Sequence, residues 1–199
     1  GKSGNIGHNY SIQTELEDLN LIQLKTKAKF LFGHSYGGLI ALEYARQNQS
    51  FTKIAVYEPG VSVNNSITIQ WADAYAKYLQ AEKPLEAFVE FIIGSGGAPK
   101  LPKWYFKIIL KMVLGKNKQS KMFSLLPQNL LEHQQVALLN DTYKNYENIS
   151  AKLLILAGEK SPKPILKTME FLKTTLANTD CYIFKKLNHF GPTEKGYKE

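Results

Sequence analysis

Cysteine and arginine are almost absent from this chain of 199 residues, which contains only Cys181 and Arg46. A single cysteine cannot form an internal disulfide, which is typical of a reducing compartment, so we expect a cytoplasmic protein. The formal net charge of +8 therefore comes from lysine, whereas proteins that read nucleic-acid sequences depend on the bidentate contacts of arginine. We expect no nucleic-acid partner.

Long apolar runs, metal-ligand clusters and cofactor motifs are also missing from the sequence. No run approaches the roughly 18 apolar residues of a transmembrane helix, which argues against stable membrane insertion. Histidine and cysteine do not occur at metal-ligand spacing, and there is no glycine fingerprint of a dinucleotide site, so we expect no metal and no cofactor. The remaining composition, with 44% hydrophobic and 21% charged residues, is that of one globular domain with an insertion.

Short apolar runs alternate with helical patterns at both ends of the chain, which predicts an α/β fold with a parallel sheet. The runs that predict buried strands cover residues 28–32, 53–57, 152–157 and 181–184. Residues 61–148 show no strand pattern and predict a helical insertion. The chain thus divides into a first core segment (1–60), a helical cap (61–148) and a second core segment (149–199).

The sequence Gly-His-Ser-Tyr-Gly at 33–37 follows the first predicted strand and opens a predicted helix. This is the context that a G-x-S-x-G nucleophile turn requires. Such a sharp turn strains the backbone of Ser35, so we expect its small neighbours, Gly33 and Gly37, to prevent clashes. The turn raises the Ser35 hydroxyl above the sheet and directs the Tyr36 N–H towards a nearby oxyanion. The motif therefore predicts a nucleophile at Ser35 and an oxyanion donor at Tyr36.

A serine nucleophile needs a base within hydrogen-bond reach, and the chain has four histidines to supply it. His8 lies in a glycine-rich leading loop, and His133 lies in the helical insertion. His34 directly precedes the serine, so its side chain should point away from the hydroxyl and shape the turn or the pocket. His189 follows the last predicted strand in a loop, and the order Ser then His is the one this motif predicts. We therefore predict His189 as the base.

These features together resemble the α/β-hydrolase family. The resemblance covers residues 1–60 and 150–199, with a helical cap inserted after the family's sixth strand. It implies a partial hydrolase fold without the first four strands and the last helix, and a second oxyanion donor outside this chain. The chain starts in a predicted loop over 1–10 and stops at the start of a predicted helix over 194–199, so we expect a fragment of a longer protein.

The acid that orients the histidine is where the sequence departs from the family pattern. In this family the acid usually lies three residues after the glycine that ends the seventh strand, and that position is Ser161. Two glutamates are better placed than any aspartate. Glu58 ends the sixth strand, where some relatives such as haloalkane dehalogenases carry their acid, and Glu159 lies in the usual acid loop. We predict Glu58, with Glu159, a dyad or a water-bridged arrangement as alternatives.

The resemblance implies a serine hydrolase that cleaves a small hydrophobic ester, thioester or related carbonyl compound through an acyl-enzyme on Ser35. Aromatic side chains of the cap are expected to line its apolar pocket, namely Trp71, Tyr75, Tyr78, Phe88, Phe91, Trp104 and Tyr105. The same residues could instead serve C–C bond hydrolysis, acyl transfer or cofactor-free haloperoxidase chemistry. The missing aspartate at Ser161 leaves a further alternative, a non-catalytic ligand-binding protein. The oligomeric state stays open.

Overall fold

The computed structural model describes residues 10–96, 101–113 and 116–193. They form two compact units, a sheet unit from Ser11–Ser66 and the described part of Leu138–Glu199, and a helical unit within Ile67–Ala137. The helical unit is shorter than the predicted cap over 61–148, because the segments that flank it on both sides belong to the sheet unit. The predicted helix over 194–199, and all of the predicted loop over 1–10 except Tyr10, lie outside the described residues.

The elements of each unit follow the alternation read from the sequence. The sheet unit contains α1 (Ile12–Thr26), β1 (Phe30–His34), α2 (Tyr36–Gln47), β2 (Lys53–Tyr57), β3 (Lys152–Gly158), α8 (Lys163–Thr175) and β4 (Thr179–Phe184), with 3₁₀ helices at Thr142–Tyr146 and Gly191–Thr193. The helical unit contains α3 (Ala72–Gln80), α4 (Pro84–Gly94), α5 (Lys103–Val113), α6 (Lys116–Phe123) and α7 (Leu126–Leu138).

The four strands form one parallel sheet in the order β1-β2-β3-β4. The predicted α/β class with a parallel sheet is therefore confirmed. His34 lies opposite Tyr57, and Gly158 lies opposite Phe184, so that all strands end at the same edge. Ligand and catalytic sites of open parallel sheets form at the carboxyl edge of the strands. The residues that follow the strands are thus brought together there.

The two faces of this sheet are buried to very different degrees. Ile54, Val56, Leu153 and Ile155 are almost fully buried on one face. On the other face Phe30 is 68% exposed and Phe32 is 56% exposed, and they share that face with the exposed Leu154. The prediction of a buried strand at 28–32 is therefore wrong, because no described element covers this face of β1. Parallel sheets are normally covered on both faces.

The helical unit has an aromatic core of its own. Trp71, Ala72, Tyr75, Ala87 and Leu126 are buried together. Tyr75 is 0% exposed, and its hydroxyl donates a hydrogen bond of 2.9 Å to the Leu126 carbonyl. Trp71 and Tyr75, which were predicted to line the pocket, therefore form part of the core of the helical unit.

Trp104 and Tyr105 on α5 are exposed, unlike the buried aromatic side chains in the core of the helical unit.

Among the described residues, no helix is both long enough and apolar enough to cross a bilayer.

Candidate active site

Ser35 occupies a sharp turn between β1 and α2. Its backbone angles, φ 54° and ψ −122°, lie in a region that costs a non-glycine residue about 1–3 kcal/mol. Hydrogen bonds hold this conformation on both sides. The Ser35 N–H donates to the Tyr57 carbonyl (3.0 Å), and the Ser35 carbonyl accepts from the N–H groups of Gly60 (2.8 Å) and Gly38 (2.9 Å). The strain predicted from the motif is present, and β2 supports the turn.

Two of the three glycines in this turn leave no space for a side chain, and the third does. A Cβ atom on Gly33 would lie 2.5 Å from the Gly37 carbonyl oxygen, and one on Gly38 would lie 2.8 Å from the Pro59 Cα. Real Cβ atoms do not approach that closely, so both positions require glycine. A Cβ atom on Gly37 would meet nothing within 4 Å beyond its own helix and chain neighbours. The steric argument from the sequence is therefore right for Gly33 and wrong for Gly37.

Glu58 follows directly on β2 and, like Ser35, has a positive φ (43°). Its N–H donates to the Leu156 carbonyl of β3 (2.9 Å). The residue is only 1% exposed, and a buried carboxylate is costly unless hydrogen bonds compensate for its lost hydration. The strained turn thus directs a charged side chain into the interior of the sheet unit.

Three donors satisfy the Glu58 carboxylate. Oε1 accepts from the Gly158 N–H (2.8 Å) and from the Ser161 hydroxyl (2.5 Å), and Oε2 accepts from His189 Nδ1 (2.8 Å). Burial alone would raise the pKa of Glu58, but the hydrogen bonds from His189, Gly158 and Ser161 outweigh it and hold that pKa below its ordinary value. Glu58 is therefore an ionised acceptor at neutral pH.

His189 connects the carboxylate to the serine. Its Nδ1 faces Glu58, and its Nε2 lies 3.1 Å from Ser35 Oγ. An ionised carboxylate only accepts, so Nδ1 carries the proton and Nε2 is left as the acceptor for the serine hydroxyl. This tautomer lets His189 remove the Ser35 proton while Glu58 stabilises the resulting imidazolium.

The structure brings together Ser35, His189 and Glu58, and it leaves the alternative acid outside. Glu159 is exposed, and its Oε2 accepts a weak hydrogen bond of 3.3 Å from the Lys186 N–H. The direct Glu58–His189 contact also leaves no role for a dyad or for a bridging water. Ser161, at the position where the family pattern has its aspartate, donates to Glu58 instead.

The other sequence predictions differ in what the structure describes. His34 Nε2 lies 2.8 Å from the His189 carbonyl oxygen, so this side chain contacts the loop that carries the predicted base. His133 Nδ1 lies 2.8 Å from the Asn129 carbonyl within the helical unit, and His8 lies outside the described residues. Tyr36 is the first residue of α2, so its N–H is one of the donors at that helix N-terminus.

Two features of the site were missed by sequence reasoning. Ser161 and the Gly158 N–H both donate hydrogen bonds to the Glu58 carboxylate. The sequence analysis noted Ser161 only as the position that lacks an aspartate, and it assigned no contact to Gly158. The signal that could have identified Ser161 is its position, because it occupies the place from which a family acid would reach the same histidine.

In the part of the chain that the structure describes, no cluster of three or more His, Cys, Asp or Glu side chains could hold a metal ion.

Comparisons with known proteins agree with this architecture. The family model of serine aminopeptidase, S33, matches residues 1–163. Among solved structures, an α/β hydrolase from Sphaerobacter thermophilus is similar with a TM-score of 0.69 and 22% identity, over 92% of this chain and 70% of that one.

An esterase from Exiguobacterium antarcticum gives a TM-score of 0.64 and 21% identity, over 95% of this chain and 70% of that one. A protein described as a putative lipase from Acinetobacter baumannii gives a TM-score of 0.63 and 23% identity, over 98% of this chain and 67% of that one. At these identities the similarity shows the fold alone. No curated protein matches the sequence. The family model covers most of the chain, and the chain therefore belongs to the serine aminopeptidase S33 family of α/β hydrolases.

Proposed function

We propose that this protein is a serine hydrolase that cleaves a small hydrophobic ester, thioester or related carbonyl compound. The observation that carries the proposal is the continuous hydrogen-bond line from Ser35 Oγ through His189 to Glu58, with distances of 3.1 Å and 2.8 Å. Nucleophile, base and orienting acid within this reach are the signature of an activated serine. Family membership supports hydrolysis in general, and the esterase and lipase among the structural neighbours support an ester substrate.

The mechanism follows from the tautomer of His189. Ser35 Oγ attacks the substrate carbonyl carbon while its proton moves to His189 Nε2, and the Tyr36 N–H donates to the developing oxyanion. Collapse of the tetrahedral intermediate breaks the bond to the leaving group, which takes the proton from His189 and leaves an acyl group on Ser35. A water molecule, deprotonated by the same Nε2, then releases the acid and restores the hydroxyl.

The main argument for the non-catalytic alternative does not hold for this arrangement of residues. It rested on the missing aspartate at the position of Ser161, but Glu58 lies against His189 and carries the charge that the aspartate would supply. C–C bond hydrolysis, acyl transfer and haloperoxidase chemistry would use the same Ser35, so the choice among them is a question of substrate.

A substrate panel tests the proposal. Purified protein is assayed with p-nitrophenyl acetate, butyrate and octanoate, a thioester analogue and an aminoacyl p-nitroanilide. We expect turnover of an ester or thioester, and a loss of about 10³-fold or more in kcat/KM for Ser35→Ala. Ser124→Ala is the matched control, because this exposed hydroxyl of the helical unit donates to the Lys121 carbonyl within its own turn (2.8 Å). Turnover that persists in Ser35→Ala, or no turnover of the whole panel, would contradict the proposal.

A further inference from the structure

The loop that carries His189 is held by the ends of three neighbouring strands. The Lys160 N–H, two residues after β3, donates to the Leu187 carbonyl (2.8 Å). The Tyr57 hydroxyl, at the end of β2, donates to the Asn188 carbonyl (2.7 Å). Three consecutive carbonyls, at 187, 188 and 189, thus each receive a donor, because His34 at the end of β1 reaches the last of them.

This set of donors follows the order of the sheet. β3, β2 and β1 are successive neighbours, and they bind residues 187, 188 and 189 in turn. The loop therefore lies across the carboxyl ends of the strands and presses closely on them. A Cβ atom on Gly158 would lie 2.5 Å from the Leu187 carbonyl oxygen, and one on Gly191 would lie 2.9 Å from the Tyr57 hydroxyl oxygen. Two glycines thus permit the close approach that the hydrogen bonds require.

His34 is suited to this role by its protonation state. Because a carbonyl oxygen only accepts, His34 Nε2 must carry the proton that it donates to His189. Burial lowers the pKa of His34, so the ring stays neutral at neutral pH. Its centre lies 4.9 Å from that of the His189 ring. A neutral ring at that distance does not oppose the positive charge that His189 acquires when it takes the serine proton.

We propose that His34 and Tyr57 are positioning residues that fix the main chain of His189, and thereby the distances from its ring to Ser35 and Glu58. The proposal rests on the proposed function for its catalytic consequence. His189 must satisfy Ser35 and Glu58 at once, and a displacement of about 1 Å in a reacting group can cost about a hundredfold in rate. Loss of one carbonyl donor is therefore expected to slow the chemistry without changing substrate binding.

Matched variants separate the donor from the bulk of the side chain. His34→Gln keeps an N–H donor at a position equivalent to Nε2, while His34→Met keeps similar volume and has no donor. Tyr57→Phe removes one hydroxyl near the loop. Tyr44→Phe is its control, since that equally buried hydroxyl donates to Asn20 Oδ1 (2.9 Å) elsewhere in the sheet unit.

We expect His34→Met and Tyr57→Phe to lower kcat, and the second-order rate of fluorophosphonate labelling, by about tenfold or more at unchanged KM, with a fall in melting temperature similar to that of Tyr44→Phe. His34→Gln and Tyr44→Phe should retain most of the wild-type rate. Equal rates in wild type and His34→Met, or a His34→Gln variant as slow as His34→Met, would overturn the proposal.

A second readout needs no turnover. In ¹H–¹⁵N spectra of the imidazole rings, the His189 Nδ1 proton bound to Glu58 should be retained in His34→Gln and lost or broadened in His34→Met. Identical His189 signals in both variants would overturn the positioning role. If the wild type hydrolyses no substrate but the His189 signals of the two variants differ as expected, the proposed function fails while the positioning role stands.

Discussion

At the scale of single residues, the buried carboxylate of Glu58 explains most of the site. Its three donors come from the β4–His189 loop, from the end of β3 and from Ser161. An isolated charge in this place would be costly, so Glu58, His189 and Ser161 stabilise one another. Ser35 and His189 could be predicted from the sequence because a local motif and chain order identify them. The sequence favoured Glu58 over Glu159 but left the alternatives open, because the choice depends on which strand end faces the histidine.

Substituting the two glutamates in parallel tests the assignment of the acid. Glu58→Gln removes the charge that stabilises the His189 imidazolium and can leave the ring in the wrong tautomer, so we expect kcat to fall by about 10²–10⁴-fold. Glu159→Gln alters an exposed side chain and should leave kcat within about twofold of wild type. Steady-state hydrolysis of the best substrate of the panel measures both. An inactive Glu159→Gln with an active Glu58→Gln would reverse the assignment.

The lowered pKa of Glu58 also predicts how stability changes with pH. A carboxyl group with a depressed pKa in the folded state stabilises the fold fully above its unfolded pKa, about 4.3, and loses that contribution as pH falls through the folded value. The stability difference between wild type and Glu58→Gln should therefore be largest near neutral pH and shrink in acid. Urea unfolding at a series of pH values measures it, and a difference that grows as the pH falls would be inconsistent with this sign.

At the scale of elements, the turn from β1 to α2 determines where the nucleophile lies. β2 was predicted with its observed bounds because its apolar run is framed by turn residues. β1 was predicted two residues early, at 28–32 and not Phe30–His34, because the Gly-His pair reads as a loop although it continues the strand. Within the predicted helical insertion over 61–148, α7 ends at Leu138 and a separate 3₁₀ helix covers Thr142–Tyr146.

Alanine at the two glycines on either side of Ser35 tests the packing of this turn. Gly33→Ala forces a Cβ atom into the backbone of α2 and should lower the free energy of unfolding by about 1–3 kcal/mol. Gly37→Ala places a better helix former in open space, so it should leave stability unchanged or raise it by up to about 1 kcal/mol. Thermal and urea unfolding measure both variants. Equal destabilisation by the two would show that the sequence argument for Gly37 was right after all.

At the scale of the whole molecule, the described residues cover one face of the sheet and leave the other face exposed. The sequence predicted the strands from their apolar character, and that character fits a sheet buried on both faces. What covers a face depends on elements far away in the chain, so no local pattern could predict the exposure of Phe30 and Phe32. The roles of His34 and Tyr57 at the His189 loop were beyond the sequence for the same reason, since their partners lie 155 and 131 residues away.

An apolar dye tests the exposed face directly. Contiguous exposed apolar surface binds such dyes, so we expect the folded 199-residue chain to enhance the fluorescence of anilinonaphthalene sulfonate. The Phe30→Thr/Phe32→Thr double variant should bind markedly less dye, because threonine suits a strand but removes the aromatic area. Leu138→Thr, at an exposed leucine that is not part of the sheet, serves as the control. Equal dye binding by wild type and the double variant would mean that this face is covered in solution.

The site of covalent labelling tests the central claim most directly. A fluorophosphonate loses fluoride to an activated serine and leaves a phosphonyl group on its oxygen, so intact-mass and peptide mass spectrometry report both stoichiometry and position. We expect one adduct per chain, on Ser35, formed much more slowly in His189→Asn and absent in Ser35→Ala. An adduct on another residue, or none while a known serine esterase labels in parallel, would contradict the account.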